Sequence, residues 1–343
     1  MRSRPLGSHG NRCKFHAMTE TEAGAAEQRR WEAGTAEDLI ADAADLGLTF
    51  TARTIDDWVE SGLLGSPAFQ KSTQRGSDPR VFSADQRRLF TELLRVRARS
   101  PHKRIRADRL IEPVLYLWLA DNTVVTDQQA RRALRTYAHG MGRLPASARK
   151  AAARAVVDQI AHAETVPALR RAAEQLLAHV EKAAYTTRRI EAADKERLYS
   201  LLLDLTHDVD LRLSGFERGL GPPQAPFVLA QLFGSWVARL RMSVVLRGEQ
   251  VTEQELAEAR AEHVAEWARY QQVRPELHAA SSGDRMFAAP PDEEEGYRQL
   301  LNGFVTLLAG RRGLLAESIA EARQLDERIR ASKQAPGSRR AGC

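Results

Sequence analysis

The sequence predicts a mainly α-helical protein whose strand signals are confined to its N-terminal part. Ala, Leu and Arg dominate, and aromatic residues make up only 6% of the chain, which favours helices over sheets. From about residue 126 to the C-terminus, apolar residues recur at helical spacing. Candidate strand residues occur only at Phe69 and at Val81-Phe82. A length of 343 residues predicts more than one domain.

The composition indicates a soluble protein rather than a membrane protein or an enzyme. No apolar run approaches the roughly 20 residues of a membrane span, so we expect a cytoplasmic protein, associated with the nucleoid when it binds DNA. Cys13 and Cys343 lie in opposite tails without a neighbouring Cys or spaced His, so neither a disulfide nor a metal site is predicted. We find no phosphate-binding loop, nucleophile elbow or Cys-His pair, and therefore expect no enzyme activity and no cofactor.

The first ordered elements are predicted to be two short helices joined by a turn. Residues 1–34 lack apolar periodicity and are expected to be a disordered tail. Thr35 is a candidate N-cap for a helix that ends at Gly47. After the turn LTFTAR, a second helix is predicted to begin at Thr54 and to end at Gly62.

A hairpin and two further helices are predicted next. Residues 65–82 are rich in Gly, Ser, Pro and basic side chains, which is typical of a β-hairpin with a long polar tip. Ser83 is a candidate cap for a helix over 84–99. A fourth helix is predicted over 110–119 although it contains Pro113.

The remainder of the chain is predicted to be helical, with one break at 219–226. That break has the sequence GLGPPQAP, which is typical of a linker. The predicted domains are therefore 35–120, a helical region over 121–218, and a C-terminal helical region over 227–332, with a disordered tail over 333–343. Phe233, Trp236 and Leu240 lie at helical spacing, which is more typical of core packing than of a ligand pocket. The predicted helices are 127–139, 146–163, 166–184, 187–213, 226–247, 252–272, 294–309 and 313–331.

Two helices, a hairpin and a further helix form the order of a winged helix-turn-helix domain. TIDDWVESGLL followed by DPRVFSADQRRLFTELL resembles the DNA-binding domain of the MerR family of transcription regulators, over about residues 36–100. The resemblance implies DNA binding as a homodimer on paired half-sites, with any effector sensed in the C-terminal part. That part lacks the Cys ligands of the metal-sensing branch, so metal sensing is not expected. The matching positions are Thr54, Ile55, Trp58, Gly62, Leu63, Leu64, Arg80, Phe82 and Ser83.

Asp56 and Asp57 depart from the family pattern, which places an Arg and an aromatic residue there. Carboxylates beside phosphates would repel the DNA. Three interpretations remain open. Either the aspartates stabilise the start of the helix, or one of them accepts a hydrogen bond from cytosine N4, or the domain does not bind DNA in the family manner.

Positive charge is concentrated after the second helix. Residues 36–60 contain seven acidic residues and one basic residue, Arg53, whereas residues 71–109 contain twelve basic and four acidic residues, a net charge of +8. The whole chain has a net charge of only +6. Of its 51 basic residues only seven are Lys, so the abundance of Arg alone is not read as a sign of DNA binding. The concentration of charge favours a DNA contact that includes the hairpin.

The sequence therefore predicts a sequence-specific DNA-binding protein, most simply a bacterial transcription regulator. Thr51, Arg53 and Thr54 are expected to read base edges. The hairpin and the helix after it are expected to contact phosphates through Lys71, Arg75, Arg80, Arg87 and Arg88. Partners would be double-stranded DNA, a second copy of the chain, and a small-molecule effector or protein. Two alternatives stay open: a phage- or plasmid-type accessory protein acting in replication, partition or excision, and a winged-helix module that docks a protein.

Overall fold

The protein is mainly α-helical. A computed structural model describes residues 32–69, 80–99, 107–120, 123–161, 165–187, 190–205, 225–280, 289–290 and 293–334. Within these residues there are twelve helices and two short strands, which confirms the mainly α prediction. None of the helices described there is long and apolar enough to cross a membrane.

The N-terminal elements follow the predicted order. The Thr35 hydroxyl accepts a hydrogen bond from the main-chain N–H of Asp38, and the Asp38 carboxylate accepts one from the N–H of Thr35, so the first helix has a complete capping box. This exchange lowers the pKa of Asp38. The elements are α1 (Ala36–Asp45), α2 (Ala52–Ser61), β1 (Ala68–Phe69), β2 (Arg80–Val81), α3 (Ala84–Arg99) and α4 (Ala107–Leu119).

Each of the eight helices predicted after residue 126 has a counterpart among the described residues, and most bounds differ by a few positions. Residues 206–213 of the predicted helix 187–213 lie outside the described residues. The last part of the predicted linker is helical, because α9 begins at Ala225; residues 219–224 lie outside the described residues. The helices are α5 (Asp127–Gly142), α6 (Ala146–Ile160), α7 (Pro167–Thr187), α8 (Ala192–Leu205), α9 (Ala225–Arg247), α10 (Glu253–Ala280), α11 (Glu293–Arg311) and α12 (Leu314–Gln334).

Helix α10 is longer than predicted and continues through Pro275. A proline inside a helix removes one main-chain hydrogen bond, so the sequence favoured an earlier end. Buried Arg274 offsets this loss, since its guanidinium lies 5.7 Å from the centre of the Tyr270 ring and donates to Gln299 of α11 at 3.3 Å. Packing against α11 thus extends the helix beyond what local sequence specifies.

The folded part also begins earlier than predicted. Gly34 and Phe82 exchange two main-chain hydrogen bonds of 3.0 and 2.8 Å, next to the β1–β2 pair. Gly34 therefore belongs to the folded domain, whereas the sequence predicted a disordered tail through this residue. Residues 1–31 lie outside the described residues.

Two large clusters of buried apolar residues form most of the core, and α9 contributes to both. The larger cluster joins α1–α5 to the second half of α9 and to α10 and α11. The other joins α6, α7, α8 and α12 to the first half of α9. Phe233 is buried in the latter, with Trp236 packed against it, and Leu240 is buried in a small third cluster, as expected for core residues. The core is therefore continuous across the predicted boundaries at 120 and 219–226.

Candidate DNA-binding surface

Helix α2 is fixed to α3, and to the turn that precedes α2, by an aromatic cluster. Phe50, Trp58 and Phe90 lie edge to face, with ring centroids 5.2 to 5.5 Å apart. Such pairs add about 0.5–1.5 kcal/mol each beyond their burial. Ile55 is also fully buried on this side of α2. The opposite face of α2, which carries Arg53, is therefore exposed.

Helix α2 begins at Ala52, two residues before the predicted start at Thr54. The reason is that Thr51 is the N-cap: its hydroxyl accepts the main-chain N–H of Thr54 at 3.2 Å. The hydroxyls of Thr51 and Thr54 also lie 3.0 Å apart. Both are thus used in capping, and Arg53 is the exposed side chain between them that is free to reach outward.

The earlier start rules out the helix-terminus interpretation of Asp56 and Asp57. In a helix that begins at Ala52, both residues lie beyond the first turn, and the first turn of α2 has no acidic residue. Charge effects of the helix dipole fall off within that turn. The two aspartates therefore do not stabilise the start of α2, and their role must come from their neighbours.

Asp56 contacts the strand pair. In the antiparallel register Ala68 is opposite Val81 and Phe69 is opposite Arg80. The Arg80 guanidinium lies 3.5 Å from a carboxylate oxygen of Asp56 and 6.0 Å from the centre of the Phe69 ring. Phe69 is 71% exposed. Arg80 thus links α2 to the hairpin on the protein surface, and Asp56 neutralises part of its charge.

Arg87 is not available for the predicted phosphate contact. Its Nε and Nη2 donate to the two carboxylate oxygens of Asp42 at 2.6 and 2.8 Å, and both side chains are over four-fifths buried. This hydrogen bonding raises the pKa of Arg87. Arg87 therefore ties α3 to α1. Arg88 is half-buried on the same helix.

The tip of the hairpin lies outside the described residues. Residues 70–79 include Lys71 and Arg75, two of the predicted phosphate contacts. Their part in the surface remains a prediction. The surface that the structure does describe is formed by Thr51, Arg53, Thr54, Asp56, Phe69 and Arg80, which we call the α2–hairpin surface.

The C-terminal end of α2 docks on α5. The carbonyl groups of a last helical turn lack partners within the helix. Here Arg135 donates to the carbonyl of Glu60 at 3.1 Å, and the Thr136 hydroxyl donates to the carbonyl of Ser61 at 2.8 Å. Gln129 donates to the carbonyl of Leu63 at 3.2 Å. We call this contact the α2–α5 joint.

Gly62 allows α2 and α5 to approach each other closely at the joint. It ends α2 with a φ of +82°, in the left-handed region that favours glycine. A Cβ added at Gly62 would lie 2.2 Å from the main-chain nitrogen of Ala133 in α5. Any other residue would therefore force α2 away from α5.

A second layer of contacts holds the joint in place. Gln86 of α3 accepts the N–H of Gly65 at 2.6 Å and donates to Gln129 at 2.9 Å. On the other side of α5, Arg135 forms an ion pair with Glu249, and Arg131 donates to the carbonyl of Glu249 at 2.8 Å. Glu249 lies in the loop between α9 and α10. The position of α2 is thus fixed by both its own domain and the helical region.

Little in the sequence indicates the α2–α5 joint. Its partners are separated by about 66 to 75 residues along the chain, and they bond to main-chain carbonyls rather than to complementary side chains. Gly62 was the one usable signal, although it was interpreted only as a helix end. Asp42 likewise contributes to the acidic charge of residues 36–60, and nothing in the sequence indicates its pairing with Arg87.

Comparison of the chain with protein-family models, with curated protein sequences and with solved structures gives no match. Within the part of the chain that is described, no group of three or more His, Cys, Asp or Glu is arranged to hold a metal ion.

Proposed function

We propose that the protein binds double-stranded DNA in a sequence-specific manner and acts as a transcription regulator. Its N-terminal domain would be a winged helix-turn-helix, in which α2 enters the major groove and the β1–β2 hairpin is the wing. Arg53 would read a base edge, since Arg pairs with guanine O6 and N7. Arg80 would hold a phosphate, with Lys71 and Arg75 as further contacts and a homodimer placing two such surfaces on paired half-sites.

The observation that carries the proposal is the orientation of α2. Its C-terminal end is buried in the α2–α5 joint, whereas its N-terminal end and outer face are exposed. A recognition helix contacts bases with its N-terminal residues. Arg53 lies at that exposed end, and Arg80 is connected to the same face through Asp56 at 3.5 Å. A base-reading residue and a phosphate-binding residue would therefore approach DNA together.

The acidic residues of α1 and α2 motivated the alternative of a protein-docking module. Three of the seven acidic residues between 36 and 60 have partners within the protein. Asp38 caps α1, Asp42 pairs with Arg87, and Asp56 pairs with Arg80. Because these charges are used internally, they offer less to a basic protein partner, and the DNA-binding proposal is favoured.

Capture of genomic fragments by the purified full-length protein tests the proposal. Sheared DNA from the source organism is incubated with the protein at moderate salt, and the retained fragments are sequenced. We expect enrichment of fragments that share a sequence and overlap promoters. Arrayed sites at a replication origin would instead support the accessory role. Retention without any shared sequence would overturn specific binding, and no retention even at low salt would leave the protein-docking alternative.

A further inference from the structure

A cavity lies in the helical region, away from the α2–hairpin surface. Its volume is about 470 Å³, which is within the usual range for small-molecule sites. Helix α11 forms its floor, with α9, α10 and the start of α12 around it. The lining residues are Arg239, Glu262, Glu266, Asn302, Gly303, Thr306, Leu307, Gly310, Arg311 and Leu315.

One wall presents a cation, Arg239, that forms no ion pair within the described residues. Arg239 of α9 donates only a long hydrogen bond, of 3.5 Å, to the Thr306 hydroxyl. Among the described residues, no carboxylate oxygen lies within 4.0 Å of its guanidinium. Burial lowers the pKa of Arg239 below its ordinary value, although Tyr185, Tyr137 and Glu181 act in the opposite direction. Glu181 lies beyond ion-pair distance, so an anion that reached the guanidinium directly would add a charge-assisted hydrogen bond that Arg239 lacks.

Thr306 and Asn302 extend this polar wall. They lie one helical turn apart on α11, and both border the cavity. The Asn302 amide can donate a hydrogen bond to a carboxylate oxygen, whereas the Thr306 hydroxyl already donates to the main-chain carbonyl of Asn302 at 2.7 Å. Arg239 and Asn302 together supply donors for both oxygens of one carboxylate.

The wall formed by α10 presents an anion. Glu266 is exposed, and among the described residues no ion-pair partner approaches its carboxylate. Glu262 is different, because Arg311 donates to it at 2.8 Å and also pairs with Glu258. Arg311 is thus already used by carboxylates, which leaves Glu266 as the acceptor available to a ligand ammonium group. Between the two walls, Leu307 and Leu315 supply an apolar surface.

We propose that this cavity binds a free amino acid with an apolar side chain. The ligand carboxylate would be held by Arg239 and Asn302, its ammonium group by Glu266, and its side chain by Leu307 and Leu315. The four charged residues that line the cavity sum to zero net charge, which suits a zwitterion better than a simple anion or cation. This proposal does not depend on the proposed DNA binding.

Isothermal titration calorimetry of the full-length protein tests the site, with L-leucine, L-methionine and L-phenylalanine as probes. We expect at least one of them to bind with a millimolar or lower dissociation constant. The amide of that amino acid, which lacks the carboxylate, and its N-acetyl derivative, which lacks the ammonium group, should each bind at least about tenfold more weakly. If none of the three probes binds, or if a derivative binds as tightly as its parent, the proposal is wrong.

Variants identify the residues involved. Arg239→Gln should weaken binding of the probe amino acid about tenfold to hundredfold, because a charged hydrogen-bonding group is lost. Glu266→Gln changes an exposed residue and should leave folding intact. It should weaken binding of the free amino acid but not binding of the N-acetyl derivative. Glu276→Gln, on an exposed position of the same helix outside the cavity, is the matched control. Equal effects of the Glu266 and Glu276 variants would overturn the proposal.

Discussion

Neutralising Asp56 should strengthen DNA binding more than neutralising Asp57. Both residues are exposed on the outer face of α2, and both substitutions to Asn remove one negative charge. Only Asp56 pairs with Arg80, at 3.5 Å. Asp56→Asn should therefore release Arg80 for a phosphate, whereas Asp57→Asn removes only general repulsion. The two variants form a matched pair.

The expected difference follows from the geometry of the ion pair. Two unit charges at this distance attract by about 1.2 kcal/mol in water, and exposed ion pairs typically contribute about 0.2–1 kcal/mol. The Arg80 and Asp56 side chains are 60% and 63% exposed, so the lower range applies. Releasing Arg80 from Asp56 thus reduces the favourable free energy of DNA binding by at most about 1 kcal/mol, which is about fivefold in affinity. We expect the Asp56 variant to gain about two- to fivefold more affinity than the Asp57 variant.

Fluorescence anisotropy with a labelled duplex of arbitrary sequence measures this difference, at about 50 mM salt where phosphate contacts are strong. The same two substitutions are then made in an Arg80→Gln background. There the Asp56 and Asp57 variants should behave alike, because the pair no longer exists. A difference that persists without Arg80, or equal gains in its presence, would refute the role assigned to the pair. A loss of preference at one base position in the Asp57 variant would instead support contact with cytosine.

Three further predictions concern stability and assembly. Gly62→Ala should lower the free energy of unfolding by about 2–5 kcal/mol in chemical denaturation, from its positive φ and its contact with α5. Gly47→Ala has a similar φ but open space around it, and should cost only about 1–2 kcal/mol; equal losses would contradict the α2–α5 joint. Arg87→Gln should cost about 1.5–3 kcal/mol by breaking its buried ion pair, without changing the affinity of the folded protein for DNA. Arg88→Gln should weaken DNA binding without lowering the free energy of unfolding. A loss of stability in this variant would show that the roles of Arg87 and Arg88 are misassigned. Sedimentation of the full-length protein at micromolar concentration should give a dimer; a monomer would remove the idea of paired half-sites.

Helices were predictable wherever local chemistry determines them. Thr35 as an N-cap, Gly62 as a helix end, and apolar spacing after residue 126 each act over a few residues. Those features fixed the existence and order of the elements. The start of α2 was missed because both Thr51 and Thr54 can cap a helix, and sequence alone does not rank them.

Only some of the residues that contact DNA in the proposal were placed correctly from the sequence. Arg53 and Arg80 are exposed as expected, but Arg87 is held by Asp42, forty-five residues earlier in the chain. The pairing of Arg80 with Asp56 likewise depends on how the hairpin folds over α2. Such contacts depend on tertiary packing, which charge counts along the sequence do not contain.

The boundaries of the domains were the least predictable feature. Composition placed breaks near 120 and at 219–226, yet the larger core cluster contains residues from both sides of each. Gln129 and Thr136 bond to the end of α2 across the predicted boundary near 120. Hydrogen bonds to main-chain carbonyls leave no complementary pattern in the sequence, so this docking was not foreseen.

The most direct test of DNA recognition compares Arg53→Ala with Arg80→Ala on a selected site and on unrelated duplexes, over a range of salt concentrations. If α2 reads bases and the hairpin holds phosphates, the Arg53 variant should lose about 1–3 kcal/mol on the selected site and much less elsewhere. The Arg80 variant should weaken binding to all duplexes alike and reduce the salt slope by about one. Unchanged binding in both variants, on every duplex and at every salt concentration, would contradict the assignment of this surface to DNA.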